Sequence, residues 1–547
     1  IVLLGYQHPD LLKENFNSSA PVQSVLTRNM TYMMAVLNGW ELEGLDLSTA
    51  FLQTAPKEEM RIWTSGVPEL RQALGINDNQ VMRVLKDFYG STTAPRGLWK
   101  DLSRTFERLG ARRVMSDPCV WVWLEPNPQP KNAMDRFRTI GLMGGHVDDF
   151  HRTGDLTNPR WCKIRQEVDK AYSWGTVKKG SYRHAGTDLV SKRSPDFGDY
   201  LEVNQDQFVE TLQDLDLRPQ TGVDDKLTPE QVSRCRGALG SLQWLATQSQ
   251  PQICARCNLL LSDLSNEPTF QVVKEIQQMI NEVRRSPTRL CFRKLPGVHH
   301  WQDVHIVTLG DQAHCNRPRG GSTGGLITMM GGPAHALGEP GPLVLLGWKT
   351  WRLQRVAIGT TDGEVQAMVE SEDMNFRTRL IWAELNGATA DRQNDYLKAA
   401  EEAVRACPGI VGTDSKGGFD AVTREEGPNL GLSNARAAIQ GHQLKESVQK
   451  SGTRLIWLSG DWNISDALTK KSAEARSGFE QYLKTGVWML RFDPGFVVSA
   501  RKAKSRGGLT AAGHMRSLTR LQTKQDFWTG ARAPAVAKVL VCSAQVP

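Results

Sequence analysis

The stretch "GLMGGHVDDFHRTGD", residues 141–155, places two adjacent aspartates, Asp148 and Asp149, between two short segments that can pair as β-strands. Adjacent carboxylates repel, and each raises the pKa of the other unless a cation neutralises the pair. A solvated turn accommodates two such charges at little cost, so the pair alone indicates either an ordinary turn or a metal site. The choice between these interpretations depends on the acids that the rest of the chain supplies.

A third acid, Asp46, ends a predicted strand within "GWELEGLDLSTAFL", residues 39–52. With Asp148 and Asp149 it supplies three carboxylates for two divalent ions, which would bind the phosphates of a nucleotide and the terminal hydroxyl of a primer. Phe51 follows five residues after Asp46. A bulky ring beside such a site can exclude a 2′-hydroxyl, although Phe51 taken alone also fits a core aromatic.

After residue 303 the pattern changes to three strands followed by alternating helices and strands, which is typical of a mixed α/β domain. The predicted elements are the strands 304–311, 324–330, 343–349, 409–414 and 453–459, the helices 362–386 and 432–450, and a short helix from 463. The helix 362–386 has an apolar stripe that can pack on a sheet. We therefore predict a five-stranded sheet here.

Four acids of this domain lie where a predicted strand or helix begins or ends: Asp311, Glu364, Asp414 and Asp466. Each alone fits a cap or a surface turn. If the strands ending at residues 311 and 414 pair centrally, the fold brings the four together. Such a cluster can hold two divalent ions roughly 4 Å apart, which activate a water and stabilise the leaving oxygen in phosphodiester hydrolysis. The joint pattern favours this metal site.

The length and the cysteines describe the rest of the molecule. A chain of 547 residues suggests roughly three domains, and residues 20–40 and 228–286 read as helical. Its nine cysteines are scattered, which points to a reducing compartment. Cys254 and Cys257 lie in a helical pattern without a second pair at a workable spacing, so we predict no zinc site.

Two sequence patterns bear on the expected location of the protein. No apolar run approaches the roughly 18 residues of a membrane span, and "IVLLGYQHPD" is not a secretory signal. We therefore expect an intracellular location, cytoplasmic or nuclear, without membrane contact. Because the sequence starts with Ile1, we expect it to begin inside a longer reading frame.

The net charge of +8 is concentrated at one end of the sequence. Residues 501–547 hold nine Lys or Arg residues and one acid, so the remainder of the chain is balanced. A basic tail of this kind suits nucleic-acid phosphates, and it equally fits a solvated disordered end.

Taken together, these motifs resemble the polymerase part of copia-type long-terminal-repeat retrotransposons, whose members carry blocks like "DVxxAFLxG", "LYGLKQAPRxW" and "YVDD". The corresponding stretches in this chain are "LDLSTAFLQT" (45–54), "FYGSTTAPRGLW" (88–99) and "HVDD" (146–149), in the same order. Further on, "LGDQAH", "GGSTGGLI", "TTDGEVQAM", "GTDSKGG" and "DALTKK" resemble the family's ribonuclease H part. The resemblance covers roughly residues 1–475.

The resemblance implies a right-hand polymerase fold joined to a ribonuclease H domain, as a fragment of a Pol polyprotein. Its units would be fingers and palm at 1–220 without the start of the fingers, a helical thumb-like region at 221–300, the ribonuclease H-like domain at 301–475, and a basic, flexible tail at 476–547. The implied activities are RNA- and DNA-templated DNA synthesis and cleavage of RNA in an RNA–DNA hybrid. The implied partners are an RNA template, a DNA primer, the hybrid, deoxynucleoside triphosphates and other proteins of the element.

The resemblance also assigns roles to residues. Asp46, Asp148 and Asp149 would hold two Mg²⁺ or Mn²⁺ ions for polymerisation, and Asp311, Glu364, Asp414 and Asp466 would hold two for the nuclease. Substrate contacts would come from the sugar gate Phe51, from Ala94, Pro95 and Arg96 on the nucleotide and template side, and from Arg28 at the triphosphate.

This sequence departs from the family pattern within the polymerase blocks. Thr93 stands where the family has a glutamine, Gly97-Leu98 adds a residue before Trp99, and His146 replaces the tyrosine of "YVDD". Three interpretations therefore stay open: an active polymerase with ribonuclease H, a chain in which the nuclease alone works, or a non-catalytic nucleic-acid-binding remnant.

Overall fold

The computed structural model of the chain describes residues 11–13, 16–56, 62–77, 79–195, 198–391, 395–423, 432 and 434–491. The strongly basic end predicted to suit phosphates lies outside these residues. None of the helices in the described ranges has the length and apolar character needed to cross a membrane. The architecture is mixed α/β, as predicted, with two six-stranded sheets and a four-stranded sheet.

The first sheet carries the aspartate pair. The strands of this part are β1 Leu42–Asp46, β2 Ile62–Thr64, β3 Met82–Val84, β4 Ala111–Arg113, β5 Val120–Pro126, β6 Phe137–His146, β7 Asp149–Gly154 and β8 Lys178–Lys179. Its helices are α1 Val25–Asn38, α2 Pro68–Leu74, α3 Ala94–Arg108 and α4 Pro159–Ala171. The strand order is β4-β5-β6-β7-β1-β8, while β2 and β3 form a separate pair. The hairpin β6–β7 and the strand β1 beside it were predicted from the sequence and are confirmed.

The middle of the chain combines a small sheet with three longer helices. The elements are β9 Ser181–His184, β10 Thr187–Ser194, β11 Gly198–Asn204, α5 Asp206–Glu210, α6 Pro229–Gln248, α7 Cys254–Asn266, α8 Phe270–Arg285 and β12 Leu290–Phe292. The helical prediction for 228–286 is confirmed, and Cys254 and Cys257 are buried in α7. Thr228 caps α6 with a capping box that includes Gln231, which explains where this helix begins.

The last sheet carries the four separated acids. Its elements are β13 His305–Arg317, β14 Gly321–Gly331, β15 Gly341–Arg352, α9 Thr360–Leu385, α10 Tyr396–Ala406, β16 Gly409–Thr413, α11 Lys416–Thr423, α12 Ala435–Ser451, β17 Arg454–Trp457, α13 Ala473–Thr485 and β18 Val487–Trp488. The strand order is β17-β16-β13-β14-β15-β18. Strands β13, β16 and β17 run parallel, and the other pairings are antiparallel.

Two predictions about this sheet are wrong. It has six strands rather than five, because Val487 and Trp488 pair with Pro342 and Gly341 at its edge. The predicted flexible tail from residue 476 also fails up to residue 488, since α13 and β18 lie there and Phe479 is buried. A strand of two residues is too short to show an alternating pattern in the sequence. Strand β18 forms because its residues pair with β15 in the folded chain.

The first and last sheets share one hydrophobic core, which extends from Met30 to Leu490. Helix α1 contributes to this junction, where the amide of Asn29 donates to the Leu346 carbonyl at 2.9 Å. Buried Glu384 at the end of α9 accepts hydrogen bonds from the Ser116 amide at 3.1 Å, from the Ser116 hydroxyl, and from Tyr396 at 2.8 Å. The division of the chain into units at residues 220 and 300 stays a prediction. The parts of the chain on either side of these boundaries pack directly on each other.

We expect Glu384→Ala to lower the free energy of unfolding by about 2–4 kcal/mol, because it leaves the half-buried donors of Ser116 and Tyr396 without their acceptor. Glu384→Gln keeps an acceptor of the same size and should cost less than half as much. Urea unfolding of the parent and both variants measures the difference. Equal stability of the parent and Glu384→Ala would show that this contact does not stabilise the junction.

Candidate metal centres

Three acids from distant parts of the chain meet at one edge of the last sheet. Leu309 of β13 lies opposite Gly412 of β16 in a parallel pair, so Asp311 and Asp414 follow at the same edge. Glu364 joins them from the first turns of α9. One ligand atom from each of these three residues lies within 4.8 Å of the other two. This arrangement is a possible metal site formed by oxygen ligands.

Asp466 approaches the same cluster from the short helical turn Ile464–Leu468. The residues that follow it make the contacts. The Thr469 hydroxyl donates to Asp311, and the Lys470 ammonium lies 2.9 Å from Asp466 Oδ2 and 3.6 Å from Asp311 Oδ2. The fourth predicted acid therefore borders the three-residue cluster and is linked to it through a lysine.

The cluster is electrostatically unfavourable without a cation. Burial raises the pKa of Glu364 to about 9, and the charges of Asp311 and Asp414 act in the same direction. Burial and the carboxylates of Asp466 and Asp414 raise the pKa of Asp311 well above its usual range. The pKa of Asp414 is raised by burial and by Asp466. Like charges brought together in a buried place are a mark of functional sites.

The donor set fits a hard divalent cation. Glu364 Oε2 and Asp466 Oδ1 are buried and have no hydrogen-bond partner among the described residues. Buried carboxylate oxygens are normally paired, and carboxylate oxygens are the ligands that Mg²⁺ prefers. The site residues therefore fit a group such as Mg²⁺ or Mn²⁺.

Sequence reasoning missed the residues that orient these acids. The buried Asn463 amide donates to Asp414 Oδ1 and to the Gly310 carbonyl, both at 3.1 Å. It thereby ties the segment bearing Asp466 to the ends of both strands. Asn463, Thr469 and Lys470 all lie within "DWNISDALTKK", so their closeness to Asp466 was the one signal in the sequence that could have drawn attention to them.

The aspartate pair lies on the first sheet beside Asp46. In the antiparallel register Asp46 of β1 lies opposite Asp149 of β7, and Asp148 occupies the turn between β6 and β7. Asp149 Oδ2 accepts a hydrogen bond from the Ala185 amide at 2.6 Å. Burial raises the pKa of Asp149 to about 6, and Asp148 and Asp46 add to the increase. The fold thus places the three predicted acids at one end of the sheet.

This first cluster is more open than the second. Within the described ranges, Asp311, Glu364 and Asp414 form the one group of three acidic, His or Cys residues whose ligand atoms all lie within 4.8 Å. Asp46 is exposed, whereas Asp311 in the second cluster is buried. Val147 in the turn has φ +63°, an unusual conformation for a β-branched residue, and strain of this kind clusters at functional sites.

The two glycines before His146 have a packing reason. A Cβ at Gly144 would lie 2.8 Å from His151 Nε2, and a Cβ at Gly145 would lie 2.1 Å from a ring carbon of Phe150. The two glycines therefore make room for the side chains of the following strand. The His151 Nδ1 atom lies 3.3 Å from His184 Nε2 in a fully buried pair. Burial lowers the pKa of His151 to about 3, so the ring is neutral in the fold.

The predicted substrate residues differ in their burial and in their contacts. Phe51 is half-buried, with its ring edge-on to Tyr89 at a centroid distance of 5.0 Å. Ala94 is buried at the start of α3, Pro95 follows it, and Arg96 donates to the Ser19 carbonyl at 2.8 Å. Arg28 is only 3% exposed and donates to Gln248 at 2.9 Å. Its role at a triphosphate stays a prediction.

Comparisons with known proteins give little further information. No protein-family model matches the sequence, and no curated protein matches it. Among solved structures, a foamy viral protease-reverse transcriptase in complex with an RNA/DNA hybrid is similar at 9% identity, over 81% of this chain and 67% of that chain, with a TM-score of 0.26. A TM-score of this size does not establish a shared fold.

Proposed function

We propose that the chain is an RNA-directed DNA polymerase with an attached ribonuclease H, of the copia retrotransposon type, with one metal-dependent centre on each six-stranded sheet. The observation that carries this proposal is the meeting of Asp311, Glu364 and Asp414, whose ligand atoms lie within 4.8 Å although long stretches of chain separate them. The second support is the register that sets Asp46 opposite Asp149.

In the nuclease centre, Asp311, Glu364, Asp414 and Asp466 would hold the ions. When bound, two divalent ions would activate a water and stabilise the leaving oxygen of the RNA strand. Asn463 donates to Asp414 Oδ1, which fixes that carboxylate and leaves its second oxygen for a ligand. Thr469 fixes Asp311 in the same way from the other side. The protein thus mainly positions charged groups, as phosphoryl transfer requires.

In the polymerase centre, Asp46, Asp148 and Asp149 would hold the ions, with Asp149 in an assisting role. Asp149 already shares one oxygen with the Ala185 amide, which suits an assisting role. The ring of Phe51 is fixed against Tyr89, and such a fixed ring can exclude a 2′-hydroxyl. Ala94, Pro95 and Arg96 would line the nucleotide and template side.

A cluster of arginines beside the nuclease centre supports a nucleic-acid substrate. Arg352 lies next to the turn between β13 and β14, where a Cβ at Gly321 would be 3.1 Å from its Nε. Burial and then the charge of Arg352 lower the pKa of Arg317. Arg319 and Arg352 form no ion pair with any acid of the described residues.

The strands that bear Arg317 and Arg352 are hydrogen-bonded to the segment that bears Asp466 through other residues. The Asn316 amide donates to the Thr469 carbonyl, and the Thr350 hydroxyl donates to the Leu468 carbonyl, both at 2.8 Å. Unpaired guanidinium groups are suited to phosphate oxygens. We therefore place the phosphate backbone of the substrate across the β13–β14 turn.

We expect Arg352→Glu to weaken binding of an RNA–DNA hybrid and to lower the slope of log K against log salt by about one phosphate contact. Fluorescence anisotropy with a labelled hybrid at several KCl concentrations measures the slope. Arg193→Glu on β10 is the matched control, since Arg193 is exposed on the four-stranded sheet. An unchanged slope for Arg352→Glu would place the substrate elsewhere.

A second candidate function, ribonuclease H activity without polymerisation, is favoured by one observation. Asp311 is buried, Glu364 and Asp414 are half-buried, and the three converge, whereas Asp46 on the first sheet is exposed. Thr93 and the extra residue before Trp99 also depart from the polymerase pattern. A third candidate is a nucleic-acid-binding chain without catalysis.

Two reactions with the purified chain distinguish these candidates. The first is extension of a DNA primer on an RNA template, and the second is cleavage of labelled RNA in a hybrid, each with Mg²⁺ or Mn²⁺ and each repeated with EDTA. Both activities support the polymerase with nuclease, and hybrid cleavage alone supports the second candidate. Hybrid binding without either reaction would overturn the proposal in favour of the third.

A further inference from the structure

One lysine lies inside the acidic cluster, where a cation would be expected. The Lys470 ammonium is 2.9 Å from Asp466 Oδ2 and 3.6 Å from Asp311 Oδ2. It therefore lies between the acid that borders the cluster and the acid at its centre. Asp311 is 2% exposed, so few other positive groups can reach it.

The neighbouring Lys471 has a different environment, although it is adjacent in sequence. Its ammonium lies 2.6 Å from Asp263 Oδ2 on α7 and 3.1 Å from Glu275 Oε2 on α8. It ties the segment to the helical region and makes no contact with the carboxylate cluster. The two lysines carry the same charge, but Lys470 contacts the carboxylate cluster whereas Lys471 anchors the segment to the helical region.

Lys470 can leave the cluster without unfolding the segment. Its side chain is 40% exposed and consists of a flexible stem of four carbons with a point charge at its end. Thr469 is buried, and its hydroxyl donates a hydrogen bond to the Asp311 carboxylate. The lysine is therefore the part of the segment that can move into solvent while the acids keep their places.

We infer that Lys470 is a resident cation of the nuclease cluster, and that a divalent ion has to displace its ammonium group in order to bind between Asp311 and Asp466. This inference rests on the proposed metal-dependent function. A positive group at this place compensates the carboxylates while no metal is bound, and it repels an arriving divalent ion. Lys470 therefore acts as a positioning residue that sets how tightly the cluster binds metal.

Two effects of opposite sign follow for Lys470→Met. The protein without metal becomes less stable, because the repulsion among the carboxylates is no longer compensated. Its affinity for Mn²⁺ increases at least tenfold, because the competitor is gone. Lys470→Arg keeps a positive charge and should bind Mn²⁺ about as weakly as the parent, and Lys471→Met should do the same.

The experiment is a Mn²⁺ titration of the full chain, in which electron paramagnetic resonance measures the free ion. Each protein is compared with the same protein carrying Asp311→Asn, so that binding at the nuclease cluster is obtained as the difference. Melting temperatures in EDTA and in saturating Mn²⁺ give the second readout. If Lys470→Met does not fold without metal, Lys470→Gln takes its place, since it keeps a hydrogen-bond donor but carries no charge.

Tighter Asp311-dependent binding in Lys470→Met, with Lys470→Arg and Lys471→Met like the parent, supports the inference. Equal or weaker Asp311-dependent binding in Lys470→Met overturns it and leaves the proposed function standing. If Asp311→Asn changes no Mn²⁺ binding in any protein, the metal site itself is absent and both proposals fail.

Discussion

Asp311→Asn is expected to abolish cleavage of RNA in a hybrid, with a loss of at least about a thousandfold, because a metal ligand that supplies several kcal/mol of transition-state stabilisation is removed. The same change should raise the stability of the protein in EDTA. The negative charge of Asp311 is buried beside Glu364 and Asp414, and its removal relieves their repulsion. A gain of about 1 kcal/mol would raise the melting temperature by roughly 2–4 °C.

This combination distinguishes a metal ligand from a structural residue. A structural aspartate that is replaced makes the protein less stable, whereas a ligand held under repulsion makes it more stable and removes the rise in melting temperature on adding Mg²⁺. Glu370→Gln is the matched control, since Glu370 lies on α9 like Glu364 but pairs with Lys349 at 2.9 Å. Thermal unfolding with and without Mg²⁺ measures both effects. A less stable Asp311→Asn that still responds to Mg²⁺ would contradict the assignment.

Asp148→Asn is expected to lower primer extension on an RNA template to below about a thousandth of the parent rate, since it takes one of the three carboxylates that would hold the ions of the polymerase centre. Its effect on stability should be small. Asp148 is half-buried in the turn and contacts Leu47 through its backbone carbonyl at 2.8 Å, a hydrogen bond that the asparagine retains. The hairpin should therefore fold as before while it loses a ligand.

The control for this variant is Asp199→Asn on β11, where the aspartate is exposed and pairs with Arg193. Single-nucleotide extension with Mg²⁺ and with Mn²⁺ measures the rates. Extension by Asp148→Asn at the parent rate would remove the hairpin from the polymerase chemistry. No extension by any protein, the parent included, would favour the second candidate function.

The sequence predicted the positions of Asp46 and Asp414 because strand ends can be recognised locally. The predicted end of a strand at Asp311 is wrong, since β13 continues to Arg317 through its pairing with β14. Asp46 is the last residue of β1, and Glu364 lies near the start of the long helix α9. Whether these acids meet depends on the order of the strands in the sheet, which the sequence pattern does not determine. In the structure β13 pairs directly with β16, and this pairing brings Asp311 and Asp414 together.

Other features had no local signal. The edge strand β18 consists of two residues, and its pairing with β15 is fixed by α13 packing through Phe479. The contact of Lys470 with Asp311 joins the first strand of the last sheet, β13, to a segment that follows β17 in the sequence. Such contacts arise from tertiary packing, and no periodicity or propensity encodes them.

The two centres are carried by units that share one core. Asn29 of α1 bonds to Leu346 of β15, and Glu384 bonds to Ser116. A substrate that contacts both centres would therefore meet them at a fixed separation. Loss of the hydrogen bonds to Glu384 should weaken the packing between the two sheets more than it changes the geometry of either cluster of acids.

The central claim is that two separate clusters of acids perform two separate reactions. A single reaction tests it: a labelled DNA primer on an RNA template that carries a second label, followed over time with the parent, Asp148→Asn and Asp311→Asn. The account predicts that Asp148→Asn still cuts the RNA of a preformed hybrid but does not extend the primer, and that Asp311→Asn extends the primer but leaves the RNA intact. Loss of both reactions in either variant, or of neither, would contradict it.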